Sequence, residues 1–427
     1  MKESASPPPD QAEAPDPLVE QADGSFEGEP RVLKPRRAAP ADAVRPTRAD
    51  INLAALRHNL RALTRTVAAD KPAIWGVLKA DAYGHGAPAI ARTLERAGID
   101  AFSVALLEEG IELRAAGITL PILVMGGYYG PRHRGLEDAL EHDLTPVLYD
   151  LEGVDRLAAL ASQRERRCAF HLKVDTGMAR LGASLADVDA LLDRVASAPQ
   201  VELRGLMSHL ACADDPSSEA TALQLGHFSR VRESAKLRRI EPAFCHVANS
   251  AASVAFPSSR LGAVRPGIAL FGISPFFGPG APFGDFAKEL RPAMRVRTEI
   301  VALRTLADGD RVGYGHTWAA IGTRVVATIP MGYADGLSRA LSNKGAVLVR
   351  GKRASVAGVV SMDLTSIDVT AIPGVRVGDE VVVLGNQEGP LGSAAISAED
   401  IANWVGTIPW EVITSISRRV PRFYREP

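Results

Sequence analysis

The sequence predicts an α/β plus β protein, a (β/α)8 TIM-like barrel followed by a mainly antiparallel β C-terminal domain. Three observations carry this. Between Ile74 and Arg265, eight short apolar runs alternate with amphipathic stretches, the rhythm of parallel strands joined by crossover helices. Beyond Ser274–Pro292, a linker rich in glycine, proline and phenylalanine, short β-prone runs are set apart by Gly309, Gly345, Gly351, Gly374 and Gly378. At 427 residues, 46% of them hydrophobic, the chain is long enough for two domains with a core in each. A doubly wound open sheet is the alternative for the first domain, but no G-x-G-x-x-G opens a helix after the first strand.

Taken in order, residues 1–46 differ from the rest. They hold nine prolines, and Glu3 to Glu29 is acidic with no lysine or arginine between. Such a segment buries too little apolar surface to order itself and reads as a disordered tail; the basic stretch Arg31–Arg37 reads as a solvated linker. Leu53, Leu56, Leu60, Leu63 and Val67 then fall three and four apart, one face of a helix beginning near Ile51. The barrel strands are expected at Ile74–Ala80, Ala101–Ala105, Pro121–Gly126, Pro146–Asp150, Cys168–Asp175, Leu203–Ser208, Phe244–Ala248 and Gly262–Arg265. Helices are expected between them, among others at Ala87–Ala97, Leu107–Ala116, Leu151–Gln163 and Leu185–Ser197. The β domain is expected to use Val296–Arg304, Arg324–Ile329, Ala346–Val349, Ser355–Val360, Ser366–Val369 and Glu380–Leu384. Ser397 with Asp400 three residues on opens a short helix through Trp404. The domains are therefore a tail at 1–46, a barrel at 47–285 and a β-rich domain at 286–427.

A net charge of −1 gives no support for a nucleic-acid or anionic-membrane partner. Cys168, Cys212 and Cys245 show neither metal spacing nor a disulfide framework, which fits a reducing compartment and no metal. The opening MKESASPPPD lacks an apolar signal core and no run approaches a membrane span, so the cytoplasm is expected.

Chemistry concentrates at the expected strand ends, which in such barrels form the active-site mouth. Lys79 ends the first strand, in VLKADAYGHG. A lysine there is costly to bury, and once desolvated it loses pKa and becomes an amine able to form a Schiff base. Lys173 and Asp175 end the fifth strand, with Arg180 close behind. His209 follows the sixth, Asn249 and Ser250 the seventh, and Arg265, Gly267 and Ile268 the eighth. Gly267 and Ile268 offer backbone N–H groups at a helix start, where an anion is favoured, and Ser250 and Tyr83 add hydroxyls. A reactive amine beside a phosphate site points to pyridoxal 5′-phosphate, with Arg265 facing its pyridine nitrogen. Taken singly, Lys79 reads equally as a lysine snorkelling into solvent, Ser250 as a helix cap and Arg265 as half of a salt bridge.

From about Arg45 to the C-terminus the chain resembles the alanine racemases. The resemblance rests on VLKADAYGHG, KVDTGMARLG, MSHLACAD, HVANSAA, VRPGIALFG, VGYGHTW, MGYADGLSR and SMDLTSIDV, in that order. It implies that Lys79 and Tyr314 are the two catalytic bases, Tyr314 reaching the site from the other subunit of a homodimer. Arg265 matches the arginine at the pyridine nitrogen, and His209 the link from it to the catalytic tyrosine. Tyr83, Ser250, Gly267 and Ile268 match phosphate contacts. Arg180 and Met362 match contacts to the substrate carboxylate. Asn249, Tyr333, Arg339 and Asp363 match residues around the site and its access. Lys173 stands where many members carry a carbamylated lysine. One departure is Trp410, where the family usually has a tyrosine on the phosphate; an indole N–H cannot present a phenol at the same reach.

The implied substrate is a small amino acid, and the implied role is supply of D-alanine for peptidoglycan. Removal of the Cα proton on one face and its return on the other requires two bases, and the phenol of Tyr314 needs its pKa of about 10 lowered to take part. Alternatives are a racemase acting on serine or lysine, a fold-related decarboxylase, and a non-catalytic pyridoxal-phosphate carrier. A carrier needs only a single barrel, so the β-rich region with Tyr314 speaks against it.

Overall fold

Eight parallel strands pair side by side in chain order: Ala73–Val77, Ala101–Val104, Ile122–Val124, Thr145–Leu148, Cys168–Lys173, Val201–Met207, Phe244–His246 and Ala263–Val264. The eighth pairs with the first, Ala73 opposite Ala263 and Ile74 opposite Val264. Between the seventh and eighth, one bond from Arg265 N to Ala248 O, 2.9 Å, does the joining. Each strand stops one to three residues short of its expected C-terminal end, because the polar residues there leave the ladder for the mouth. In this computed structural model residues 43–130 and 134–426 are described. The tail expected over 1–46 lies outside them as far as residue 42.

The barrel interior is packed by Trp75, Ala101, Leu123, Val147, Met207 and Ala263. The outward faces of the strands pack against the helices, among them Leu53–Thr66, Ala87–Arg96, Leu107–Ala115, Leu151–Gln163, Val188–Ala196 and Glu219–Leu237. The first of these buries Leu56, Leu60 and Leu63, the face its spacing predicts, and is capped by Asn52, whose Oδ1 accepts from Ala55 N at 3.0 Å.

The second domain is a ten-stranded sheet in which all but one of the strand pairings are antiparallel. Three findings correct the sequence reading. Val296–Arg304 is two strands, Met294–Glu299 and Ala302–Leu306, turned apart at the buried Ile300. A strand at Arg48–Asn52 delays the helix expected from Ile51 to Leu53 and joins the β sheet, between Met294–Glu299 and the parallel C-terminal strand Arg422–Arg425. Its Asp50 explains the placement: nearly buried, it meets Arg297 at 2.7 Å and Arg425 at 3.3 Å. The linker holds a helix at Gly284–Glu289, and another forms at Pro409–Thr414, neither signalled by periodicity. The capping box at Ser397 forms, with Asp400 N on its Oγ at 3.0 Å and Ser397 N on Asp400 Oδ2 at 3.1 Å.

Candidate active site

The loop after the first barrel strand is wound the unusual way. Ala80, Asp81, Ala82 and Tyr83 all have φ between 52° and 57°, a left-handed turn that costs L-residues about 1–2 kcal/mol each. Contacts on both sides hold it. Glu109 accepts from Ala80 N at 2.6 Å, and from Ala105 N and Leu106 N at 2.9 and 3.0 Å. Asp81 Oδ1 accepts from Ala87 N at 2.8 Å. From the β domain, Arg422 Nε donates to Gly84 O at 2.9 Å and Tyr424 Oη to His85 O at 3.2 Å. The turn therefore begins at Lys79, two residues beyond the strand where the sequence reading ended it.

Lys79 stands at the mouth with Lys173, Arg180, His209 and Arg265, close enough for their fields to act on one another. Burial lowers the Lys79 ammonium pKa and Arg180 lowers it further, while Glu109 opposes them. Lys173, almost wholly buried, is brought down to about 8 by burial, then by Arg180 and Arg265. His209 is brought down to about 3 by burial and then by the cations Arg265, Arg180, Lys173 and Lys79. A mouth so crowded with positive charge suits a ligand that brings anions.

Arg265 is buried to 2% exposure, and no ion pair joins it to a carboxylate among the described residues. Its Nη1 meets His246 Nδ1 at 2.5 Å and His246 O at 2.8 Å, and its Nη2 meets Ser208 O at 2.8 Å and His209 Nδ1 at 3.5 Å. Because the guanidinium donates to His246 Nδ1, that ring carries its proton on Nε2, which donates to His171 Nδ1 at 2.8 Å. Burial lowers Arg265 to about 10, so the cation persists at neutral pH. Sequence reading missed both histidines. His171 lies within the fifth strand and His246 within the seventh, where an inward side chain carries no local signature.

Beside Arg265 lies a small cradle. Ser250 Oγ accepts from Gly267 N at 2.9 Å, while its helix is capped by Asn249, whose Oδ1 accepts from Ala252 N at 2.9 Å. A Cβ on Gly267 would stand 2.3 Å from Tyr83 Oη. Burial pushes the Tyr83 phenol pKa up, so it remains a donor, and its hydroxyl has no hydrogen-bond partner among the described residues. Ile268 opens the 3-10 turn Ile268–Phe271, where its N–H has no acceptor within the turn. A free phenol, a serine hydroxyl and the Ile268 N–H around a glycine that admits no side chain fit a phosphate. Trp410, half-buried, lies on Pro409–Thr414, which packs against the left-handed turn.

The remaining expected residues form a second group on the β domain. Tyr333 N donates to Ser361 O at 3.0 Å and Ala334 N to Met362 O at 3.1 Å, which brings Tyr333 beside Met362 and Asp363. Arg419 holds Asp363 at 2.7 Å and also reaches the buried Asp335, whose main partner is Arg45, 2.7 Å away. Arg339 begins a short turn, exposed. Tyr314 is 73% exposed and Met362 52%. No hydrogen bond or ion pair among the described residues ties Tyr314 or Met362 to the barrel mouth.

Comparison with known proteins gives the following. The family described as alanine racemase, N-terminal domain, matches residues 51–275, and the family described as alanine racemase, C-terminal domain, matches 293–424. An alanine racemase of Sorangium cellulosum is 61% identical over 386 residues, covering 90% of this chain and 100% of that protein. Among solved structures, the alanine racemase of Streptomyces lavendulae superposes with a TM-score of 0.82 at 35% identity, covering 90% of this chain and 98% of that one. The alanine racemase of Bartonella henselae with covalently bound pyridoxal phosphate gives 0.78 at 29% identity, covering 89% and 99%.

Proposed function

The chain belongs to the alanine racemase family, and on that premise we propose that it interconverts L- and D-alanine as a pyridoxal-phosphate-dependent racemase with Lys79 and Tyr314 as its two bases. One observation carries the reading: Lys79, Arg180, His209 and Arg265 converge on a barrel mouth beside the Tyr83–Ser250–Gly267 cradle.

Tyr83, Ser250, Gly267 and Ile268 would hold the cofactor's phosphate, Lys79 its aldehyde carbon and Arg265 its ring nitrogen. When bound, the cofactor supplies the electron sink that makes the substrate Cα–H removable. Arg265 keeps its own proton and so leaves the ring nitrogen unprotonated, which tempers that sink and favours prompt return of a proton over side reactions. Lys79, with its lowered pKa, holds more neutral amine near pH 7 than a free lysine and moves the proton on one face at Nζ. Tyr314 serves the opposite face at Oη. Its exposure supports a homodimer in which it enters the partner's mouth beside His209 and Arg265. Arg180 and Met362 receive the substrate carboxylate. Lys173, at about 8, carries the neutral-amine fraction that carbamylation needs, and the modified side chain would steady Arg180. Asn249, Tyr333, Arg339 and Asp363 line or support access. The reading extends to a cytoplasmic enzyme whose D-alanine feeds peptidoglycan. No helix among the described residues is long and apolar enough to cross a membrane.

The test follows L-alanine in D2O with cofactor-loaded protein, reading Cα deuteration and D-alanine together. Wild type is expected to give deuterated D-alanine, Lys79→Ala to give none, and Tyr314→Phe to lose rate in both directions. Undiminished racemisation by Tyr314→Phe would remove it as a base. Faster turnover of serine or lysine than alanine would move the substrate.

A further inference from the structure

We propose that Gln224 is a positioning residue for the racemase, a buried amide that clips the loop carrying Arg180 to the loop carrying His209. It is 3% exposed on the helix Glu219–Leu237, one of the helices that pack around the barrel. Three of its four hydrogen-bonding positions are used, both donors among them. Oε1 accepts from Ala211 N at 2.9 Å, and Nε2 donates to His209 O at 3.0 Å and to Thr176 Oγ1 at 3.3 Å. The partners fix which way the amide faces, since a backbone N–H only donates and a backbone carbonyl only accepts.

The two loops it joins follow the fifth and sixth barrel strands. Thr176 lies four residues before Arg180, in the turn where Asp175 Oδ1 accepts from Gly177 N and Met178 N at 2.9 and 2.8 Å. Thr176 Oγ1 also meets Ser208 Oγ at 2.8 Å, and Ser208 O is an acceptor of Arg265 Nη2 at 2.8 Å. One amide thereby ties the approach to Arg180 to the strand end that holds His209 and to the backbone acceptor of Arg265. The loop presses back on it: a Cβ on Gly177, whose φ is +138°, would stand 3.3 Å from Gln224 Cγ. Three residues along the same helix face, His227 Nδ1 meets Thr176 O at 3.0 Å. The helix therefore grips this loop twice. A surface helix would not need a buried amide with both donors engaged for packing alone, where an apolar side chain would serve at lower desolvation cost.

The inference rests on the reading that Arg180 binds the substrate carboxylate, and the test separates the two. Gln224→Met keeps the length and leaves His209 O and Ala211 N without partners. In cofactor-loaded enzyme it is expected to raise KM for alanine and weaken binding of propionate, the carboxylate without the amine, by about tenfold, with cofactor absorbance unchanged. In an Arg180→Ala background the same substitution is expected to add less than twofold, because it acts through Arg180. Should Gln224→Met fail to fold, Gln224→Glu serves the same cycle: it keeps the shape and the acceptor for Ala211 N and gives up donation to His209 O. If Arg180→Ala weakens propionate but the Gln224 variants do not, or if the two effects multiply in full, the positioning role is overturned. If Arg180→Ala itself leaves KM and propionate binding unchanged, the reading beneath it fails, and the positioning role with it.

Discussion

Replacing Gly267 by alanine tests the phosphate cradle at its tightest point. The added Cβ would stand 2.3 Å from Tyr83 Oη, about 1.1 Å inside the 3.4 Å at which ordinary contact begins. The phenol has little room to retreat. Tyr83 is 7% exposed, its ring lies 5.1 Å from that of Phe271, and its backbone is the last residue of the left-handed turn. The phenol tip must swing out of the cradle, and it then loses its hydrogen bond to the charged phosphate, about 1.5–3 kcal/mol. That is roughly 10- to 150-fold in cofactor dissociation constant. The assay titrates cofactor-free protein with pyridoxal phosphate and reads absorbance or quenching of tryptophan fluorescence, with kcat measured at saturating cofactor. Weaker binding with kcat within a few fold of wild type is expected. Tyr83→Phe should show a similar loss, and the double variant little more than either. Unchanged affinity in a folded Gly267→Ala protein would refute the cradle.

Two further outcomes follow from the same geometry. Burial holds His85 at about 4, His171 and His209 at about 3, and His246 well below its ordinary value. Unfolded, each would take a proton near pH 6.5, so the unfolded chain binds more protons on acidification; stability is full above about pH 6.5 and falls toward pH 3–4, by up to about 1.4 kcal/mol per pH unit for each group. Urea midpoints at pH 7 and pH 5 check this, and a flat profile would contradict it. Trp410→Tyr restores a phenol on the helix that packs against the Lys79 turn and is expected to tighten cofactor binding up to about tenfold, read in the titration above; no gain would mean that the indole N–H or a water already serves.

The barrel was legible because parallel strands covered on both faces must be apolar throughout, and the turn to polar residues at each C-terminal end marked the mouth. Lys79, Ser250, Arg265 and Gly267 could be found that way, since each breaks the pattern of its own segment. Glu109 had a weaker local sign, an acid at the third position of a helix. His171, His246 and Gln224 had none: their partners come from other strands and loops, and only the closed barrel brings them together. The left-handed turn was invisible for a related reason. Alanine, aspartate, alanine and tyrosine give no hint of positive φ, which is imposed by Glu109, Arg422 and the neighbouring helix. The strand Arg48–Asn52 was hidden because its parallel partner lies some 370 residues further on.

That distance has a consequence in time. The loop bearing Lys79 is strained, and two of the groups that hold it, Arg422 and Tyr424, lie in the C-terminal strand. A ribosome adding about 5–20 residues per second reaches Arg422 roughly 20–70 s after Gly84. Throughout that interval the barrel strands can pair, but the turn lacks two of its clasps and the lysine its final setting. The loop bearing Lys79 is thus among the last features to be completed, and a half-made chain offers a ligand no finished mouth to occupy.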